Sequence, residues 1–192
     1  MILYLHGFRS SSLSAKSQQL QRVMAAAGRA GELAAPDLPD DPRAAIELAL
    51  ACARQLCPSG NMQDLTVIGS SLGGYYATWL KEELDCKAIL INPAVYAVRD
   101  LSTQLGHTQK FHNDAPFSFT ARSVRALATL YRPVLTRMQR YYLLACTADE
   151  VLDWQEMTQR YDGAHLTLVQ GGDHAFSMFE THLPSILDFT RL

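Results

Sequence analysis

Apolar and polar positions along this chain follow two rhythms. Short apolar runs rich in Val, Ile, Leu and Tyr occur at residues 2–5, 32–35, 65–68, 88–91, 141–146 and 166–169, and their length and continuity predict buried strands. Between them, apolar residues recur at helical spacing over 15–27, 42–56, 72–84, 154–161 and 176–189, which predicts amphipathic helices. Strands alternating with helices build a parallel sheet with helices on both faces, an α/β fold. Two helix starts are marked: Asp41 before Pro42 reads as an N-cap with proline at the first helical position, and Asp153 with Glu156 reads as a capping box.

Residues 93–140 break the alternation, being too long for a crossover and mixing Pro, Gly and His with apolar positions. The pattern predicts a partly helical, lid-like insert after the fourth strand, with helices over 123–130 and 134–140. No linker or repeat divides the chain, so residues 1–192 are expected to form one domain. At 192 residues, such a domain buries roughly 70% of the surface of its unfolded chain.

Composition excludes several classes. With 48% hydrophobic and 19% charged residues the chain is an ordinary globular one. A net charge of -2 with scattered Lys and Arg leaves no basic stripe for nucleic acid. No apolar run approaches the roughly 20 residues of a membrane span, and no basic stretch precedes residues 1–5, so a cytoplasmic protein is expected. Cys52, Cys57, Cys86 and Cys146 lack the spacing of a metal site or disulfide framework and read as reduced, buried thiols.

The segment from Leu65 to Tyr76 carries the candidate chemistry: an apolar strand runs into Gly69-Ser70-Ser71-Leu72-Gly73 and then into a helix. This G-x-S-x-G pattern in a strand-turn-helix context is that of a nucleophile elbow, where the backbone crowds so closely that the flanking positions must be glycine. That requirement selects Ser71, flanked by Gly69 and Gly73, over Ser70, flanked by Ile68 and Leu72. The plainer alternative is a glycine-rich turn that only starts a helix.

A serine hydroxyl needs a base within hydrogen-bond reach, itself oriented by a third group. His6 precedes the serine at a strand end, His165 opens a strand, His182 falls in a helix, and His107 and His112 lie in the insert. His174, after the last strand and the flexible Gly171-Gly172-Asp173, fits the base; otherwise it is a solvated surface histidine. The acid is sought after the strand at 141–146, where Asp149, Glu150 and Asp153 follow. Asp149 comes soonest and is preferred, Asp153 has the alternative role of a helix cap, and Glu150 is expected to face solvent. An oxyanion hole needs two backbone N–H groups; Leu72 supplies one and Phe8, in His6-Gly7-Phe8 after the first strand, the other. His6 is expected to be a buried, hydrogen-bonded residue shaping that loop.

His6-Gly7-Phe8, Gly69-Ser70-Ser71-Leu72-Gly73-Gly74, Ile91-Asn92-Pro93-Ala94-Val95, Asp149-Glu150-Val151-Leu152-Asp153 and Gly171-Gly172-Asp173-His174 occur in that order. Together they resemble the small bacterial YqiA-type esterases, an α/β-hydrolase family, over essentially the whole chain. The resemblance implies a shortened α/β-hydrolase fold without the usual first two strands, and carboxylesterase or acyl-thioesterase activity without a cofactor or metal. It carries Ser71, Asp149 and His174 over as triad and Phe8 and Leu72 as oxyanion hole, acting on a small-molecule acyl ester or thioester. The rival readings are a serine peptidase or acyltransferase with the same triad, a non-catalytic binding protein on this fold, and a redox or metal protein using the histidines and cysteines.

Overall fold

The structure is a computed structural model that describes residues 1–111 and 114–191. Its six-stranded sheet contains β1 (Ile2–Leu5), β2 (Leu33–Ala34), β3 (Thr66–Ser70), β4 (Lys87–Ile91), β7 (Tyr141–Cys146) and β8 (His165–Val169), in the order β2-β1-β3-β4-β7-β8. Every neighbouring pair is parallel. Because strands buried on both faces must be apolar on both, residues within each strand divide between two cores. Leu3, Leu5, Val67, Ala88, Leu90, Leu143 and Ala145 face one core, where α2 (Pro42–Leu56), α3 (Leu72–Leu84), α5 (Ala121–Thr129) and α6 (Trp154–Arg160) pack. Ile2, Tyr4, Ile68, Ile89, Ile91, Tyr142 and Leu144 face the other, beneath α1 (Ala15–Ala26) and α7 (Phe179–Arg191).

The chain order runs outward one way from β1 to β2 and the other way from β3, so the sheet reverses between β1 and β3. Open parallel sheets bind ligands outside the carboxyl ends of the strands at such a reversal. The turns after β1 and β3 carry Phe8 and Ser71 there.

Helix starts follow their local chemistry with two changes. Asp41 accepts from the Arg43 and Ala44 amides at 3.0 and 3.1 Å, with Pro42 at the first helical position. Asp153 accepts from the Gln155 amide at 2.8 Å, but Glu156 turns away from the expected box to make a two-pronged pair with Arg99 at 2.7 Å. The last helix begins at Phe179, not at 176, because the chain at Phe176 has φ 52°, incompatible with a right-handed helix.

The insert differs most from expectation. It holds a short helix, α4 (Ala97–Leu101), then an antiparallel hairpin of β5 (Gly106–Gln109) and β6 (Pro116–Phe119), then α5. No helix forms over 134–140; only a 3₁₀ turn, Met138–Arg140, is present. Arg137 there has φ 49° and ψ 58°, outside the right-handed helical region, and the Thr136 carbonyl is taken by the Lys81 side chain.

The end of the insert is fastened to α3 by a buried ion pair. The Lys81 side chain is fully buried, that of Glu82 is 9% exposed, and their charges lie 3.0 Å apart. Lys81 also donates to the Thr136 carbonyl, and Glu82 accepts from the Thr136 hydroxyl and from the Tyr141 hydroxyl at 2.7 Å. Burial pushes the Glu82 carboxyl up, but the bonds from Thr136, Tyr141 and Lys81 outweigh it and hold the group below its ordinary value. Glu82→Ala leaves a buried ammonium unpaired and is expected to lower unfolding free energy by about 3 kcal/mol in denaturant titration. Since its folded value is depressed, the ionised Glu82 stabilises the fold fully above the ordinary glutamate value. That contribution disappears as pH falls through the folded value, and Glu82→Gln should flatten this acid limb.

Candidate functional site

Ser71 occupies the turn between β3 and α3 with φ 55° and ψ -122°, a backbone conformation that costs roughly 1–3 kcal/mol and persists only where neighbours enforce it. The neighbours are specific. The Ser71 amide donates to the Ile91 carbonyl at 3.0 Å, and the Ser71 carbonyl accepts from Gly74 at 2.9 Å and Ala94 at 3.0 Å. Strand and helix cross so tightly that a Cβ on Gly69 would overlap the Gly73 carbonyl, and one on Gly73 would overlap the Leu5 carbonyl.

The loop after β8 returns across the end of β7 through Gly171 and Gly172, both at positive φ, and a Cβ on Gly172 would lie 2.5 Å from the Cys146 sulfur. This return brings His174 over Ser71. Its Nε2 lies 3.0 Å from Ser71 Oγ, and its Nδ1 lies 2.9 and 3.0 Å from the two oxygens of Asp149. Nδ1–H donates to the carboxylate, which leaves Nε2 as an acceptor for the serine hydroxyl. The Asp149 side chain is fully buried and that of His174 is 20% exposed. Asp149 Oδ1 also accepts from the Val151 and Leu152 amides at 2.9 Å, so the carboxylate is held on both sides.

The other acidic candidates do different work. Asp153 caps α6. Glu150 is exposed, yet its carboxylate is not left to solvent: it accepts from the His174 amide at 2.9 Å. Asn92, which has a place in the Ile91–Val95 motif but no role assigned from sequence, is fully buried and bonds the same loop. Lys16, on α1, donates to the Ala175 carbonyl at 2.5 Å; burial pulls its ammonium down to about 8, against the opposing charge of Asp173.

His6 is buried beside the same turn. Its Nδ1–H donates to the Gly7 carbonyl at 2.9 Å and its Nε2 accepts from the Leu38 amide at 2.9 Å, which joins the turn to residues 36–40. Gly7 lies against the serine, since a Cβ there would sit 3.6 Å from Ser71 Oγ. Leu72 is the first residue of α3, a position whose N–H has no acceptor within the helix. Phe8 and Leu72 both line a small cleft whose walls also include Tyr76, Phe117 and Phe119 and the charged Asp40 and Lys110. The Phe8 ring meets Phe117 and Phe119 edge-on at 4.9 and 5.1 Å, so the hairpin forms the far wall.

The remaining histidines lie apart from this cluster: His107 in β5, His165 at the start of β8 and His182 in α7, while His112 is outside the described residues. All four cysteines are thiols, with Cys52 half-buried where burial was expected. Among the described residues no group of three or more His, Cys, Asp or Glu is arranged to hold a metal ion, and no helix is long and apolar enough to cross a membrane.

The model of the uncharacterised protein family UPF0227 matches residues 1–191. The chain belongs to the UPF0227 family. This UPF0227 chain also has the α/β-hydrolase fold, as its similarity to solved structures makes plain. Mouse alpha/beta hydrolase domain-containing protein 10 is 15% identical, with a TM-score of 0.67 over 97% of this chain and 89% of that one. Est1E from Butyrivibrio proteoclasticus with ferulic acid bound is 13% identical, with a TM-score of 0.67 over 100% and 89%. The monoacylglycerol lipase of Paleococcus ferrophilus is 13% identical, with a TM-score of 0.67 over 98% and 93%.

Gly73→Ala is expected to force α3 away from β1 and destabilise this UPF0227 protein by about 3 kcal/mol, the upper end of ordinary overpacking, because the obstacle is backbone. A denaturation midpoint measured beside that of the parent protein checks this.

Proposed function

We propose that the chain is a serine hydrolase that cleaves carboxylic esters or acyl thioesters through an acyl-enzyme on Ser71. The observation that carries this reading is the continuous line from Ser71 Oγ through the imidazole of His174 to the buried Asp149 carboxylate, with contacts of 3.0 and 2.9 Å. His174 Nε2 takes the hydroxyl proton as Oγ bonds to the substrate carbonyl carbon. The electron pair displaced onto the carbonyl oxygen faces the Phe8 and Leu72 amides, which donate to it. Collapse of the tetrahedral species expels the alcohol or thiol, which receives the proton from Nε2. Water then attacks the acyl group as His174 takes its proton, and the acid leaves as Ser71 Oγ is reprotonated.

Asp149 keeps the proton on Nδ1 and stabilises the imidazolium, without itself becoming protonated. The reading takes the whole chain as one domain in which residues 93–140 cover the site, with Phe117 and Phe119 forming an apolar wall for part of the substrate. The esterase and lipase among the fold's neighbours accord with an ester substrate.

A fluorophosphonate probe followed by peptide mapping tests the reading: the label is expected on Ser71. Ser71→Ala should lower turnover of a small acyl ester by roughly four to six orders of magnitude. Labelling of another residue, or retained turnover in the variant, would exclude the mechanism. A panel of acyl esters, acyl thioesters and peptides then separates esterase and thioesterase from peptidase.

A further inference from the structure

His174 is carried by a loop in which Gly171, Gly172 and Ala175 are exposed. Lys16, Thr147 and Ser177 hold the residues to either side of it, and two side chains take hold of the peptide groups of His174 itself. Glu150 Oε2 accepts the His174 N–H at 2.9 Å. Asn92 Nδ2 donates to the Asp173 carbonyl at 2.9 Å and to the His174 carbonyl at 3.2 Å.

Asn92 is suited to that place by more than its donors. Its Oδ1 accepts from the Cys146 amide at 2.9 Å, and its own amide donates to the Leu144 carbonyl at 2.9 Å. The Cys146 carbonyl in turn accepts from the amide of Asp149 at 3.3 Å. One fully buried amide therefore spans β4, the end of β7 that leads to Asp149, and the loop that bears His174. On either side of it in sequence, Ile91 and Ala94 hold the two ends of the Ser71 peptide. The partners fix its orientation as well, because a carbonyl oxygen must face Cys146 N–H and an NH₂ must face two carbonyls. Aspartate at this position would retain the first bond and replace the others with oxygen facing oxygen. The φ of 41° at this residue is one that asparagine tolerates better than most side chains.

We propose that Asn92 and Glu150 are positioning residues that clamp the His174 peptide and so set its imidazole in line between Ser71 and Asp149. The proposal rests on the reading of Ser71 as nucleophile. Neither side chain bonds Ser71 Oγ or the imidazole, so each acts through the placement of the ring. Misplacement of a reacting group by about 1 Å can cost on the order of 100-fold in rate while leaving substrate binding largely intact.

The test compares parent protein, Glu150→Ala, Glu150→Gln and Asn92→Asp by the rate of fluorophosphonate labelling at Ser71 and by kcat and KM on one soluble acyl ester. Folding is followed by circular dichroism and thermal melting. Glu150→Ala is expected to slow labelling and kcat roughly 10-fold with KM changed less than about 3-fold, and folded Asn92→Asp to slow them by up to about 100-fold. Glu150→Gln keeps an acceptor for the His174 amide and should recover most of the parent rate, which a general loss of charge or stability would not permit. Equal labelling rates in Glu150→Ala and the parent overturn the clamp, and so does an effect confined to KM. Should Asn92→Asp fail to fold, the alanine and glutamine variants at the exposed residue 150 decide the matter alone. Failure of the parent itself to label at Ser71 refutes the nucleophile reading instead, so the two outcomes are separable.

Discussion

The crossing of β1, β3 and α3 is a contact of backbone on backbone, and the site is organised around it. With no room for a Cβ at Gly69 or Gly73, the helix start is pressed onto the carbonyl end of β1, and the intervening residue is forced to φ 55°. Such a turn cannot relax by side-chain rearrangement, since the atoms in contact are backbone atoms of β1 and α3. Its cost is offset by the bonds at both ends of the Ser71 peptide and by the apolar strands beneath, whose residues are nearly all inaccessible to water.

From that fixed point the other groups are placed by loops at the carboxyl ends of the strands, each tied by few but well-matched hydrogen bonds. Asp149 sits in a turn whose amides satisfy its carboxylate, and His174 lies between that carboxylate and the serine. His6 links the turn after β1 to residues 36–40, with its two ring nitrogens in opposite roles. The arrangement is a set of separate segments made mutually rigid, each by a polar side chain that has both a donor and an acceptor to satisfy, or by a carboxylate that accepts several amides.

The strand and helix rhythm and the glycine spacing around Ser71 were legible because their causes are local: a buried strand must be apolar on both faces, and a backbone crossing admits only glycine. His174 and Asp149 were narrowed down by chain order and by distance from a strand end, which is weaker information than a motif. Asn92 and Glu150 were not legible in their observed roles. Their partners lie 82 and 24 residues further along the chain, and neither bond leaves a trace in periodicity. The hairpin escaped for a related reason. The exposed polar run of β5 gives no strand pattern, and the signal in β6 is only the alternation of Phe117 and Phe119 about Ser118. Residues 134–140 have helical spacing on paper, yet Arg137 stands at φ 49° in the left-handed region and Lys81 takes the Thr136 carbonyl that a helix would use.

That hairpin is coupled to the first turn of the chain through more than ring packing. Arg9 Nε donates to the Gln109 carbonyl at 2.8 Å, the Phe111 amide donates to the Arg9 carbonyl at 2.8 Å, and the Arg9 guanidinium lies 4.4 Å from the centre of the Phe111 ring. Residues 6–10 and the hairpin therefore behave as one mechanical piece assembled from two distant stretches. A chimaera that grafts the hairpin of another protein of this fold onto this scaffold would have to import the partner stretch with it. Exchanging either alone would strip the other of the contacts that hold its shape.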